Sequence, residues 1–193
     1  MGRMRAWWLL AACLVLPLSS CGKSEESEVQ KALDFRTALL AAPSCAYTAQ
    51  VTADFGDRVF EFGLDCTYDS QENDAALTVT GPELIAGIAA EVDGERAQVS
   101  FEETSLELGT MAGGHVAPLQ LPQLLGNAWA YGYVESQARA GDGWLITYRT
   151  GYGTEELLVC TRFDGALSPR QAEVYYDGTC VLTAEIDSFA AGQ

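Results

Sequence analysis

The chain has 193 residues, with 11 Lys and Arg against 27 Asp and Glu, a formal net charge of −16. That balance argues against nucleic acid, whose binding depends on clustered basic side chains. It argues equally against a surface that hugs anionic lipid headgroups, because those attract basic segments. The acid-rich surface reads as a means of solubility.

Arg3 and Arg5 give a short positive start, Ala6 to Leu16 are uninterruptedly apolar, and Leu18-Ser19-Ser20-Cys21 closes the segment. Such a charged region, short apolar region and small-residue cut site compose a secretory signal peptide. The apolar run falls short of the roughly 20 residues that cross a bilayer. Leu-Ser-Ser-Cys resembles the bacterial lipoprotein lipobox, which implies a diacylglyceryl group on Cys21 and cleavage before it. Two acyl chains suffice for stable anchoring where one does not. The expected organisation is a signal peptide over 1–20, the lipidated cysteine with a flexible tether over 21–28, and one domain over 29–193. Cleavage removes two arginines and no acid, leaving 9 basic against 27 acidic side chains, a net of −18. The expected location is the extracytoplasmic face of the cell membrane, held by lipid.

Cys13 leaves with the signal peptide, so Cys45, Cys66, Cys160 and Cys180 remain, an even set in an oxidising compartment. Gly22 to Glu28 is polar, charged and without periodicity. From about Val29 the pattern turns helical, with Val29, Leu33, Phe35, Leu39 and Leu40 near one face. Ser27 with Gln30 resembles a capping box, and Pro43 fits the stop.

Cys45, Tyr47, Ala49 and Val51 alternate with more polar neighbours, as do Phe60, Phe62, Leu64 and Cys66 after a turn at Asp54 to Asp57. Folding that hairpin with Asp54 opposite Asp57 pairs Val51 with Phe60, Ala49 with Phe62, Tyr47 with Leu64 and Cys45 with Cys66. Directly opposed positions lie within disulfide reach, so a Cys45–Cys66 bond is expected, two free buried thiols being the alternative. Further strands are expected at Leu77 to Thr80, Ala97 to Phe101 and Ser105 to Leu108. Short helices are expected over Pro82 to Ile88 and over Pro118 to Trp129, the second interrupted or restarted at Pro122. The last sixty residues read as a meander: strands at Tyr133 to Arg139, Trp144 to Thr150, Glu155 to Phe163, Ala172 to Tyr176 and Thr179 to Ile186, separated by glycine-containing turns. Cys160 and Cys180 are then the remaining pair, although one strand stands between them.

One amphipathic helix, a long antiparallel meander and short helices inserted midway, behind a lipobox, resembles the lipoprotein-carrier superfamily that includes LolA, LolB and LppX. Pro82-Glu83-Leu84-Ile85-Ala86-Gly87-Ile88 and the ending Pro169 to Phe189 look like a group of Gram-positive lipoproteins associated with that fold. The resemblance implies an α+β fold with an open antiparallel half-barrel sheet around helices, and an apolar cavity for acyl chains. It carries over no catalytic residue.

Enzymatic constellations are missing. His115 is the one histidine, so a zinc site lacks ligands and a serine triad lacks both a base arrangement and its elbow. Glu102-Glu103, Glu155-Glu156, Asp65 and Asp69 are the background of an acidic chain and do not match a calcium loop. No metal and no cofactor are expected. Trp129, Tyr131, Tyr133, Trp144 and Tyr148 cluster within twenty residues, either as packing between helix and sheet or as a pocket wall. The leading expectation is a non-catalytic binder of an apolar or acylated ligand in a concave sheet cavity, with Phe60, Phe62, Trp129 and Trp144 as its wall. The other is an envelope module with a filled core that meets a protein partner.

Overall fold

The computed structural model describes residues 29–93, 96–101, 104–109, 111–112, 115–151 and 156–192. The expected signal peptide, the lipidation at Cys21, the tether and the Ser27 cap lie outside the described residues.

Helix α1 spans Gln30–Ala41 and is followed by strands β1 (Ser44–Asp54), β2 (Val59–Asp69), β3 (Asp74–Gly81), β4 (Ala89–Asp93), β5 (Arg96–Phe101) and β6 (Thr104–Gly109). The two-residue strands β7 (Met111–Ala112) and β8 (His115–Val116) pair with each other, and one 3-10 turn (Pro118–Gln120) leads into helix α2 (Leu121–Tyr131). Strands β9 (Tyr133–Ala140), β10 (Gly143–Thr150), β11 (Leu157–Phe163), β12 (Pro169–Tyr176) and β13 (Thr179–Ala191) complete the chain. Eleven strands form one antiparallel sheet in the order β6-β5-β4-β3-β2-β1-β13-β12-β11-β10-β9. The sheet does not close on itself, so the expected α+β open half-barrel is the observed fold. Among the described residues no helix is long and apolar enough to cross a membrane.

Alternation builds the concave face. Tyr47, Ala49, Val51 and Ala53 of β1, Leu64, Cys66 and Tyr68 of β2, and Ile146 and Tyr148 of β10 are all buried on it. Both helices lie against that face. In α1 the buried residues are Ala32, Phe35 and Leu39, while Leu33 and Leu40, expected in the same stripe, are exposed on its flank. In α2, Leu121, Leu125, Ala128 and Trp129 are fully buried. Gly126 lets α2 rest on the sheet: a Cβ there would stand 2.3–2.5 Å from three ring atoms of Tyr68. Pro122 falls in the first turn of α2, where its missing N–H costs nothing; the expected restart is observed.

Pro82 to Ile88 is a correction. The segment makes a single turn, with Ala86 N–H donating to the Pro82 carbonyl, and then returns to the sheet. Gly87, at φ +90°, ends the turn so that its N–H and the Ile88 carbonyl both bond Val79. A helix has no room to propagate between two strands that must pair so soon.

The β1–β2 register is a second correction. Asp54 lies opposite Val59, not Asp57, because Phe55 to Arg58 form a longer turn in which the Phe55 N–H donates to the Arg58 carbonyl and the Asp54 carboxylate accepts the Gly56 N–H. Every partner therefore moves by two: Val51 meets Phe62, Ala49 meets Leu64, Tyr47 meets Cys66, and Cys45 meets Tyr68. A shift of two preserves the face of every side chain, so alternation alone could not detect it. Cys45 and Cys66 become diagonal neighbours, about 7–8 Å apart at Cα, beyond the roughly 4.4–6.8 Å that a disulfide bridges.

All four described cysteines are free thiols, which corrects both expected bonds. Cys160 pairs with Glu173 and Cys180 with Tyr175, leaving β12 between them, two strand spacings or about 9.5 Å. Burial pushes the Cys45 and Cys66 thiols up to about 12. A thiol titration of the denatured protein is expected to count four free groups; none would restore the disulfide pairing. In the native protein at mild alkaline pH, Cys160 and Cys180, which are half-buried, should react well before Cys45 and Cys66. Because the two buried thiols ionise at higher pH folded than unfolded, the stability they contribute is complete below the unfolded thiol range, about 8.5, and declines as pH rises toward 12. Urea unfolding at successive pH values checks that direction.

Candidate ligand cleft

The interior is occupied by the protein's own rings. Trp129 is fully buried, with ring centroids 5.8 Å from Phe35, 5.8 Å from Tyr47 and 6.0 Å from Phe189. Phe35 also packs on Phe163 at 4.6 Å. The Trp129 indole N–H donates to Thr161 Oγ1 at 2.9 Å, so its one polar atom is satisfied inside the core. Trp129 is therefore core, and its expected place in a cavity wall is corrected.

The remaining expected wall residues are not brought together. Phe60 is 45% exposed beside Phe55 at the tip of the β1–β2 hairpin, and Phe62 is half-buried on the concave face. Trp144 is half-buried under the Arg139 guanidinium, which stands 4.9 Å from its ring. Between the strands of Phe62 and Trp144 lie β1, β13, β12 and β11.

A cleft of about 980 Å³ instead opens where α1, the end of α2, the start of β9 and the end of β10 converge. Its apolar lining comes from Val29, Leu33, Tyr131, Tyr133 and Val134. Leu33 is 39% exposed, Tyr131 56% and Tyr133 70%. The next residue on α1 after the buried Phe35 is Arg36, which turns toward α2. Its Nε–H donates to the Trp129 carbonyl at 3.1 Å, and a second guanidinium N–H donates to the Gly132 carbonyl. These acceptors stand at the C-terminal end of α2, where the helix dipole favours a cation. Arg36 thus ties the two helices together and leaves positive charge in the cleft.

On the other side, Arg149 is paired with Glu135 and, at 3.7 Å, with Glu156, and the Glu135 hydrogen bond holds its guanidinium above the usual range. Tyr148 is buried nearby; burial pushes its hydroxyl above the usual tyrosine value, and the charge of Arg36 opposes that shift. Leu33, Arg36, Val134 and Arg149 were not legible as a site in the sequence. Tyr131 and Tyr133 stood within the aromatic cluster that marked the region.

Two other depressions are shallower or more polar. One, of about 720 Å³, is edged by Asp69, Asp74, Glu91 and Asp93. Another, of about 630 Å³, runs over small residues such as Ala46, Thr48, Ala76 and Ser188. The Asp69 carboxylate accepts the N–H groups of Gln71 and Glu72 and so shapes a turn. Glu102, Glu103 and Glu155 lie outside the described residues, and His115 falls in β8. Among the described residues, no three His, Cys, Asp or Glu side chains converge as a metal site.

No family model matches the chain, and no curated protein matches it. Among solved structures, a LolA superfamily protein from Nitrosomonas europaea is 12% identical, with 84% of this chain and 94% of that chain covered and a TM-score of 0.45. The lipoprotein LppX from Mycobacterium tuberculosis is 13% identical over 84% of this chain and 92% of that one, at a TM-score of 0.40. LprF from Mycobacterium bovis is 12% identical over 85% and 93%, at 0.39. The likeness of the chain to these solved structures is one of fold.

Proposed function

We propose that this chain is a non-catalytic, membrane-anchored lipoprotein that binds an apolar or acylated ligand, and that the ligand lies in the cleft between α1, α2 and β9. The observation that carries this reading is the cleft itself. Its volume, about 980 Å³, is at the upper end of the roughly 300–1,000 Å³ usual for ligand sites. Its lining combines exposed apolar side chains with one arginine, Arg36, that pairs with no carboxylate among the described residues, a pattern suited to an amphiphile with an anionic end. Burial of acyl surface at about 25 cal/mol per Å² supplies the affinity, and Cys21 supplies the anchor.

Native mass spectrometry of residues 22–193 from an exporting host tests the reading. A co-purifying lipid-sized adduct, lost on Leu33→Asp, is the expected result. The bare mass, unchanged after incubation with lipid extract, counts against it. The closed aromatic core around Trp129 is the observation favouring the second reading, an envelope module that meets a protein partner, and that reading takes over if no lipid is retained.

A further inference from the structure

Val29, which lines the cleft, is the residue at which the described chain begins, and Leu33, Tyr131 and Tyr133 stand exposed around it. Only seven residues, Gly22 to Glu28, separate that lining from the anchoring cysteine. Even at full extension the link from Cys21 to Val29 spans about 27 Å, so an anchor on Cys21 holds this end of the domain close to the bilayer. Tyrosine is suited to that depth, having an apolar ring and a polar tip that settle at the membrane–water interface. The Tyr131 hydroxyl is already committed to the Ser70 carbonyl, which leaves the exposed ring as its free surface. Arg36 and Arg149 are the two cationic side chains among the lining residues of a chain otherwise rich in acid.

We infer that the rim formed by Leu33, Tyr131 and Tyr133 is a docking surface for the lipid bilayer, so that the cleft opens directly onto the membrane that carries the anchor. The inference rests on the proposed lipidation of Cys21 and extends the proposed function: an acyl ligand passes between bilayer and cleft without crossing water. It also accommodates the strongly acidic composition. Contact is confined to one rim, and the remaining surface is turned toward solvent.

Full-length exported protein, its lipid confirmed by intact mass, is reconstituted in vesicles of phosphatidylcholine and phosphatidylglycerol carrying a lipid brominated near the headgroup. Tryptophan is introduced as Tyr133→Trp, as Leu33→Trp, or as Asp142→Trp, each in a Trp144→Phe background, and quenching is read as the difference from that background, which keeps the buried Trp129. Asp142 is exposed in the turn at the far end of β9 and β10, about 25 Å from the cleft along the strands. The expected result is at least about twofold more bromine quenching at 133 and 33 than at 142, because an indole in the rim reaches headgroup depth. Equal quenching at the three positions, or more at 142, overturns the docking surface. Loss of the lipid mass overturns the anchoring reading and this inference together. Ligand retention by the soluble domain is read separately, so failure of docking and failure of ligand binding give different results.

Discussion

Trp129→Ala is expected to cost about 3–5 kcal/mol, the range for removing a large buried ring, out of a total stability on the order of 5–15 kcal/mol for a domain. The indole is fully buried and meets Phe35, Tyr47 and Phe189 within 6.0 Å. Its loss leaves a cavity that rings on two strands and a helix cannot fill without moving backbone. It also strips Thr161, itself fully buried, of its N–H donor. Urea unfolding followed by far-UV circular dichroism measures the change, and Trp129→Phe, which keeps most of the volume, should cost about half as much. A cost under about 1 kcal/mol would mean that the ring borders a space able to collapse or fill, and would return Trp129 to the list of ligand contacts.

Gly143→Ala is the second large effect. A Cβ at this position would fall 1.9 Å from the Phe163 carbonyl oxygen and 3.0 Å from the Asp164 Cα. Both obstacles are backbone, so no rotamer change relieves them. Relief requires the start of β10 to part from β11, and Phe163 is anchored against Phe35. The expected destabilisation is about 3 kcal/mol, the upper end of the overpacking range, visible as a shifted urea midpoint with an unchanged slope. A shift worth less than about 0.5 kcal/mol would show that the strands approach each other less closely here.

How much of this was readable in the sequence depends on whether a feature is local. Alternation gave the correct face to every residue from Cys45 to Val51 and from Phe62 to Cys66, because the face of a strand residue depends only on its parity. It did not give the register, which the turn sets; the Asp54 to Val59 turn is two residues longer than the shortest hairpin would be. Where the turn was itself diagnostic, the reading held: Asp177 and Gly178 both take positive φ and join β12 to β13. Strand β4 was missed because Ala89–Asp93 is short and carries Glu91, and its neighbour Pro82 to Ile88 looked helical over a single turn. The cleft was illegible for a different reason. Its lining comes from the flank of one helix, the end of another and two strand ends, and no local pattern relates Leu33 to Val134 or Arg36 to Gly132.

The sheet order has a consequence for the order of events in folding. Strands β1 and β13 lie side by side at the middle of the sheet, with Thr48 and Ser188, 140 positions apart, in direct contact. Everything from β2 to β6 is laid on one of them, and everything from β12 to β9 on the other. Two local meanders can therefore form independently, but each has an unpaired edge until the last strand arrives, and an unpaired edge is a template for aggregation. Joining them requires closing most of the chain into one loop, which slows the productive step. A chain stalled before β13 would present β1 as an open edge to any neighbour. The final thirteen residues of sheet thus act as the latch that covers the inner edges of two half-sheets and leaves only the outer strands, β6 and β9, as edges.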